Sequence, residues 1–391
     1  GAGALRAAGA RAPARGANST RTSAAHLVTP VSALAQIGQP DEGNRDHGVA
    51  KKSLSFADLT PTQFLIISSP REKKIVYTEL KDFRSTTGRT FTLIDTGLQE
   101  PCDIAFDHQR GDLYVADRLQ KAVFRYGLLV DAYGGGYRLR TDGSRVTVLV
   151  NRKVRGLTVD VYGTVFFTDE VSRSINKISA QVVSMLGASD LVAEDLGVIS
   201  ESQLENASSS RIVSSMNAGS QPSADEPRPV PVVQALYEEV ATPHVAAPTG
   251  IASDGMRLYW ANGKQGQKRG VIVEGQVQPQ SPLLAAEGSA PGHFPVTVLA
   301  SNADIAHGLV QTSSMLIFSG ESHGSGAVFG VSKSGGPAFR YASGLGQPRG
   351  LAWDGDSTVY VADAERSRVY SLPVNRRVDG APLAPAVDFS G

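Results

Sequence analysis

Cysteine is almost absent from this 391-residue chain, Cys102 being the single one. That excludes an intramolecular disulfide and any zinc cluster built on thiolates. Surplus charge is absent too, since Lys and Arg together (38) equal Asp and Glu together (38). A balanced chain projects no field that would draw it as a whole onto nucleic acid or an anionic membrane, so a charged partner has to be recognised locally. No run approaches the roughly 18 consecutive apolar residues of a spanning helix. A Gly-rich phosphate loop, a G-x-S-x-G elbow and a basic stripe interleaved with aromatics suited to RNA are also missing. No acidic residue precedes Asp41, whereas Arg6, Arg11, Arg15 and Arg21 punctuate an Ala- and Ser-rich stretch. That is the composition of an organelle transit segment, and it predicts a mitochondrial or plastid location, with secretion as the alternative. The same residues also read as a mature arm that a partner surface orders. Asn18 and Asn206 head glycosylation triplets, a pattern that arises often by chance.

What the chain does have is a core and a repeat. Hydrophobic residues make up 41% of it, enough to bury a large interior. The stretch "RGLAWDGDSTVYVADAERSRVYSL" (349–372) runs strand, Asp354, turn, strand, Asp363, charged loop, strand. "CDIAFDHQRGDLYVADRLQKAVFRYGL" (102–128) repeats it with Asp107 and Asp117, and "RGLTVDVYGTVFFTDEVSRSINKI" (155–178) with Asp160 and Asp169. "TGIASDGMRLYWANGKQGQKRGVIV" (249–273) gives Asp254 and Asn262, while the unit at 307–331 is degenerate and residues 64–80 match the latter half alone. A further β-rich piece follows each unit, at 91–97, 145–150, 232–240, 294–301, 337–344 and 384–390. Four short strands per unit with Gly-, Asp- and Ser-rich turns predict antiparallel sheets, and six such units around an axis predict an all-β, six-bladed β-propeller. An open solenoid is the alternative, with a period that is usually shorter. "LYVAD" followed by a charged loop and "RVY" or "AVFRY" resembles the NHL-repeat propellers, and "RLYWAN" the related YWTD type, over about residues 60–375. The resemblance implies that the "GLAWD" strands are innermost, around a central channel. Ring closure is expected from an outer strand at 384–390 or from the N-terminal region.

The domain division expected is an N-terminal basic, Ala-rich extension (1–48) and a propeller (49–391) carrying a Ser-rich, acidic insertion (184–230) in blade three, between its third and fourth strands. The recurring Asp107, Asp117, Asp160, Asp169, Asp254, Asp354 and Asp363 sit on sheets pointing in different directions, so they cannot converge on one substrate. They read as turn-fixing acceptors of backbone N–H groups. Aligning the units places Cys102, Arg155, Thr249, His307 and Arg349 at the start of the inner strand, with Asp103 beside the first. A channel ring of Arg155, Arg349, His307, Thr249 and Asp103 is a candidate anion site, since guanidinium groups fork onto carboxylate or phosphate. Cys102 reads as a small buried filler. Gluconolactonase- and strictosidine-synthase-like propellers would imply a calcium in the channel, but Arg, Thr and His stand where oxygen ligands are needed. The amidating lyases of NHL type would imply several zinc-binding histidines, and only His307 is well placed. The expectation is therefore no catalytic residue, no metal site and no cofactor, with calcium under the alternative. The leading reading is a non-catalytic scaffold, an accessory subunit that meets protein partners through its faces, residues 1–48 and residues 184–230. It implies no nucleic acid and no transmembrane segment, with peripheral attachment to a membrane complex allowed. A propeller hydrolase with a divalent cation and a small-anion binder are the other readings.

Overall fold

The computed structural model describes residues 25–28, 63–81, 85–86, 89–133, 136–188, 198–199, 230–242, 244–263, 270–278, 296–301, 305–322, 324–374, 376–381, 383 and 385–389. These build six antiparallel sheets arranged as the blades of a propeller. Blade six has the simplest order, Pro348–Trp353, Thr358–Asp363, Arg368–Pro373 and Pro385–Asp388 from the inside outward. Blades three, four and five repeat it, starting from Val154–Val159, Pro248–Ser253 and Ile305–Gln311. In blade two the third strand, Ala122–Tyr133, outruns the sheet and pairs with Gly136–Thr141 before the fourth strand, Val146–Leu149. That hairpin lies in a segment where the repeat has no counterpart.

Alternation explains how one sequence pattern serves a closed ring. Successive side chains of a strand point to opposite faces, and each face of a blade meets a different neighbour. In Thr358–Asp363, Tyr360 and Ala362 pack with Leu65, Ile67 and Val76 of blade one, whereas Val359 and Val361 pack with Ile317, Val328 and Tyr341 of blade five. Six hydrophobic clusters result, one between each successive pair of blades. The second strands are therefore buried on both faces and read as continuous apolar runs, as in Leu113–Ala116 and Tyr259–Ala261. Each large side chain so buried contributes about 1.5–3 kcal/mol.

The ring closes through the N-terminal region. Ala25–Val28 pairs antiparallel with Gln63–Ser69, Ala25 opposite Ile67 and Val28 opposite Phe64. It thereby supplies the innermost strand of blade one, between the inner strands of blades six and two. A boundary at residue 48 thus divides blade one, because four residues of the extension complete its sheet; the outer strand Pro385–Asp388 stays within blade six. The rest of the 1–48 extension lies outside the described residues. Between the third and fourth strands of blade three runs the helix Ala180–Ala188, started by Ser179, whose hydroxyl accepts from the Val182 N–H. Val182, Val183, Met185 and Leu186 lock it into the cluster between blades two and three. Of the remaining insertion, Val198–Ile199 pairs with Val230–Pro231, and 200–229 lies outside the described residues. No helix among the described residues is long and apolar enough to cross a membrane.

Candidate functional site

The repeated aspartates are the most uniform feature. Asp363 accepts from the backbone N–H groups of Gly346 (2.7 Å), Gln347 (2.9 Å), Glu365 (3.2 Å) and Arg366 (3.3 Å). Asp117 does the same with Gln99, Glu100 and Gln120, and Asp169 with Val171 while meeting Arg152. At the other ends of the sheets Asp107, Asp160, Asp254 and Asp354 each accept two backbone N–H groups of their own turns. All seven carboxylates are spent on turns, far apart around the ring.

The inner strands approach one another backbone to backbone. Gly156, Gly250 and Gly308 each follow a residue of the channel ring. A Cβ added there would stand 2.0, 2.3 and 2.1 Å from the carbonyl oxygens of Thr249, His307 and Arg349 on the next blade. Hydroxyls seal the seam: Thr168 Oγ1 takes the Gly156 N–H (2.8 Å) and donates to Thr249 O (2.7 Å). Ser319 Oγ takes the Gly308 N–H (2.9 Å) and donates to Arg349 O. In blades two and four the ring residue itself does this. The Cys102 thiol reaches Val154 O at 3.4 Å and Thr249 Oγ1 reaches Ala306 O at 3.1 Å. Burial pushes the Cys102 thiol far above its ordinary pKa, so it carries no thiolate nucleophile.

The candidate ring consequently divides. Arg155, Thr249 and His307 line one cavity of about 290 Å³, together with Glu170, Arg173 and Glu321. Arg349 does not line it but approaches Glu321 from behind, Nη1 to Oε1 at 3.6 Å, and His307 Nε2 meets the same oxygen at 3.2 Å. Thr249, although in the wall, has its hydroxyl engaged by carbonyls and is no anion donor. Asp103 leaves the group altogether: it accepts from the Leu157 N–H at 2.7 Å and lines a second cavity with His108, Gln311 and Trp353. A carboxylate there cannot serve an anion site.

Two residues that the aligned ring leaves out hold the mouth together. Glu170 takes a forked pair of bonds from Arg118 (2.9 and 3.1 Å) and lies 3.6 Å from Lys153. Burial pushes its carboxyl up, but the Arg118 bonds and the surrounding cations outweigh that and hold it below the usual range. Glu321 is the other. Glu170 directly follows the second strand Val165–Asp169, and Glu321, inside the second strand Met315–Ser322 of blade five, holds the equivalent repeat position, where blade two has Arg118 and blade four Gly263. Reading the repeat one residue past the turn aspartate would have found them. His307 is depressed to about 4 by burial and by the nearby Arg349 and Arg155, so at neutral pH the imidazole is uncharged.

A calcium does not fit this donor set. That ion takes 6–8 oxygen ligands, whereas Glu170 and Glu321 are already engaged by Arg or His side chains and two guanidinium groups stand beside them. Among the described residues no group of three or more His, Cys, Asp or Glu side chains gathers as a metal site.

Asp103, in the second cavity, makes the stability of the fold depend on pH. Burial raises its carboxyl to about 7, against hydrogen bonds from Leu157 and Ile104 that pull it down. Since the unfolded carboxyl titrates near about 4, the stability tied to this proton is full below that pH and is lost as pH rises through 7. Asp103→Asn should match the wild type at low pH and exceed it by about 2 kcal/mol at pH 8. Urea midpoints at pH 4 and 8 measure this, and equal gains at both would exclude the linkage.

The architecture defines the class of protein: a six-bladed, all-β propeller. No known protein family matches the chain by sequence, and no curated protein does. Among solved structures it is similar to a chain of the nidogen/laminin complex, with 16% identity and a TM-score of 0.52 over 80% of this chain and 90% of that one. Virginiamycin B lyase from Staphylococcus aureus follows at 11% identity and a TM-score of 0.43, covering 82% and 80%. A putative 6-phosphogluconolactonase from Bacteroides uniformis has 11% and 0.43, covering 83% and 80%. Likeness at this level shows the fold alone.

Proposed function

We propose that this protein is a non-catalytic propeller that docks onto other proteins as an accessory subunit of a larger assembly. The observation that carries the reading is an exposed apolar cluster at the opposite ends of the inner strands from Arg155 and Arg349. There the turns of blades three and four present Val161, Tyr162 and Met256 at 57%, 68% and 79% exposure. The two turns touch, since a methyl at Gly255 would lie 3.8 Å from Val161 and 3.9 Å from Tyr162. Single exposed apolar residues are ordinary, but three contiguous ones mark an interaction site. A chain of similar fold takes part in the nidogen/laminin complex, which supports the reading. The Arg-rich composition before Asp41 supports placing the assembly in a mitochondrion or plastid. The partner that fits would set apolar side chains against this cluster. The double variant Tyr162→Asp/Met256→Asp should keep the wild-type melting temperature within about 1 °C, as surface changes do. It should also lose co-elution with a high-mass complex in native gel filtration. Elution of the wild-type chain at its own 41.2 kDa would sink the proposal.

A further inference from the structure

Arg349 occupies an unusual position for an arginine. Its side chain is 3% exposed, yet Nε and Nη1 have no hydrogen-bond partner. Glu321, at 3.6 Å, is beyond hydrogen-bond range. Buried guanidinium groups are normally forked onto an anion, and leaving donors unmet is destabilising. Arg155 lines the same mouth, attracted by Glu170 but within ion-pair distance of no carboxylate among the described residues. The two cations work against each other, and both work against protonation of His307. His307 Nδ1 is buried and unpartnered as well. Among the described residues the ion pairs reaching the mouth join Arg118, Lys153, Arg173 and Arg349 to Glu100, Glu170, Glu239 and Glu321, and Arg155 is in none of them. Ala247, Pro248 and Ile305 give the lining an apolar part. Ala247 is held at φ 47°, a left-handed conformation unfavourable for alanine. Such strain collects at binding sites.

We propose that this mouth binds a small organic monocarboxylate. Its oxygens would meet Arg155 with His307 alongside and the charge of Arg349 behind the Glu321 wall, and its apolar body would lie against Ala247, Pro248 and Ile305. One carboxylate offsets the unpaired Arg155 charge and relieves the repulsion between the two guanidinium groups. The site lies at the end of the channel opposite the apolar cluster and does not depend on the docking reading.

Calorimetric titration of the full chain at pH 7 with benzoate, benzamide and inorganic phosphate tests this. Benzoate should bind saturably at one site, with benzamide and phosphate each at least about tenfold weaker. Arg155→Met and Arg349→Met should each weaken benzoate by about tenfold or more. Arg155→Met, whose side chain is partly exposed, should melt no lower than the wild type, because it removes an unpaired cation. A purely structural arginine would instead melt lower and leave benzoate unaffected. Equal binding of benzamide, tighter binding of phosphate, or no benzoate binding to the folded wild type would overturn the assignment.

Discussion

Gly308→Ala is expected to destabilise the protein by about 3 kcal/mol or more, at the upper end of overpacking costs. The new methyl would stand 2.1 Å from Arg349 O and 3.2 Å from Ser319 Oγ. The first contact is backbone, and it belongs to the inner strand of blade six, which is itself held in place by the cluster between blades five and six. Neither strand can retreat without opening the seam. Gly355→Ala is the control: its φ is 86° but nothing lies within 4 Å of the added Cβ. It should cost about 1 kcal/mol through backbone strain alone. Urea midpoints of the two variants separate the effects. If Gly308→Ala falls no lower than Gly355→Ala, the blades are not in backbone contact.

Asp363→Ala carries the second large effect. It removes one buried carboxylate and strands the N–H groups of Gly346, Gln347, Glu365 and Arg366, along with the Arg366 ion pair at 3.6 Å. Charged hydrogen bonds of this kind are each worth about 1.5–3 kcal/mol, and the turn can relax to recover some of them with water. A net loss of about 4 kcal/mol is expected. Asp254→Ala, on an exposed turn with two backbone bonds and one from the Tyr259 hydroxyl, should lose about 1–2 kcal/mol. Thermal melts of the pair check the ratio, and equal losses would remove burial as the reason.

Repetition made the fold legible before any coordinate. One pattern of strand, aspartate, turn and strand recurs because every blade solves the same packing problem, and that regularity also located Arg155, His307 and Arg349 near one another. What it concealed lay in the departures. Glu170 and Glu321 occupy a repeat position that elsewhere holds Arg118, Gly263 or Ala364, so averaging over blades erases them. Thr249 and Cys102 share the ring position with the arginines, yet their short side chains turn sideways to neighbouring carbonyls where the longer ones reach the mouth. The first inner strand, Ala25–Val28, was invisible because it carries none of the motif and lies well before its partner Gln63–Ser69. The hairpin extending blade two has no counterpart either, and no repeat argument can supply it.

The cluster joining Leu65 to Tyr360 has a consequence for how the molecule folds. It unites residues roughly 295 positions apart in the chain, among the long-range contacts a ring demands. Chain-closure entropy grows only with the logarithm of length, so this step costs about 2 kcal/mol more than closing a forty-residue blade. Its difficulty is kinetic: contacts of such high order form late, after the intervening blades have stacked. Until then blades one and six each expose a complete apolar face, and the growing chain is an open stack whose two ends match.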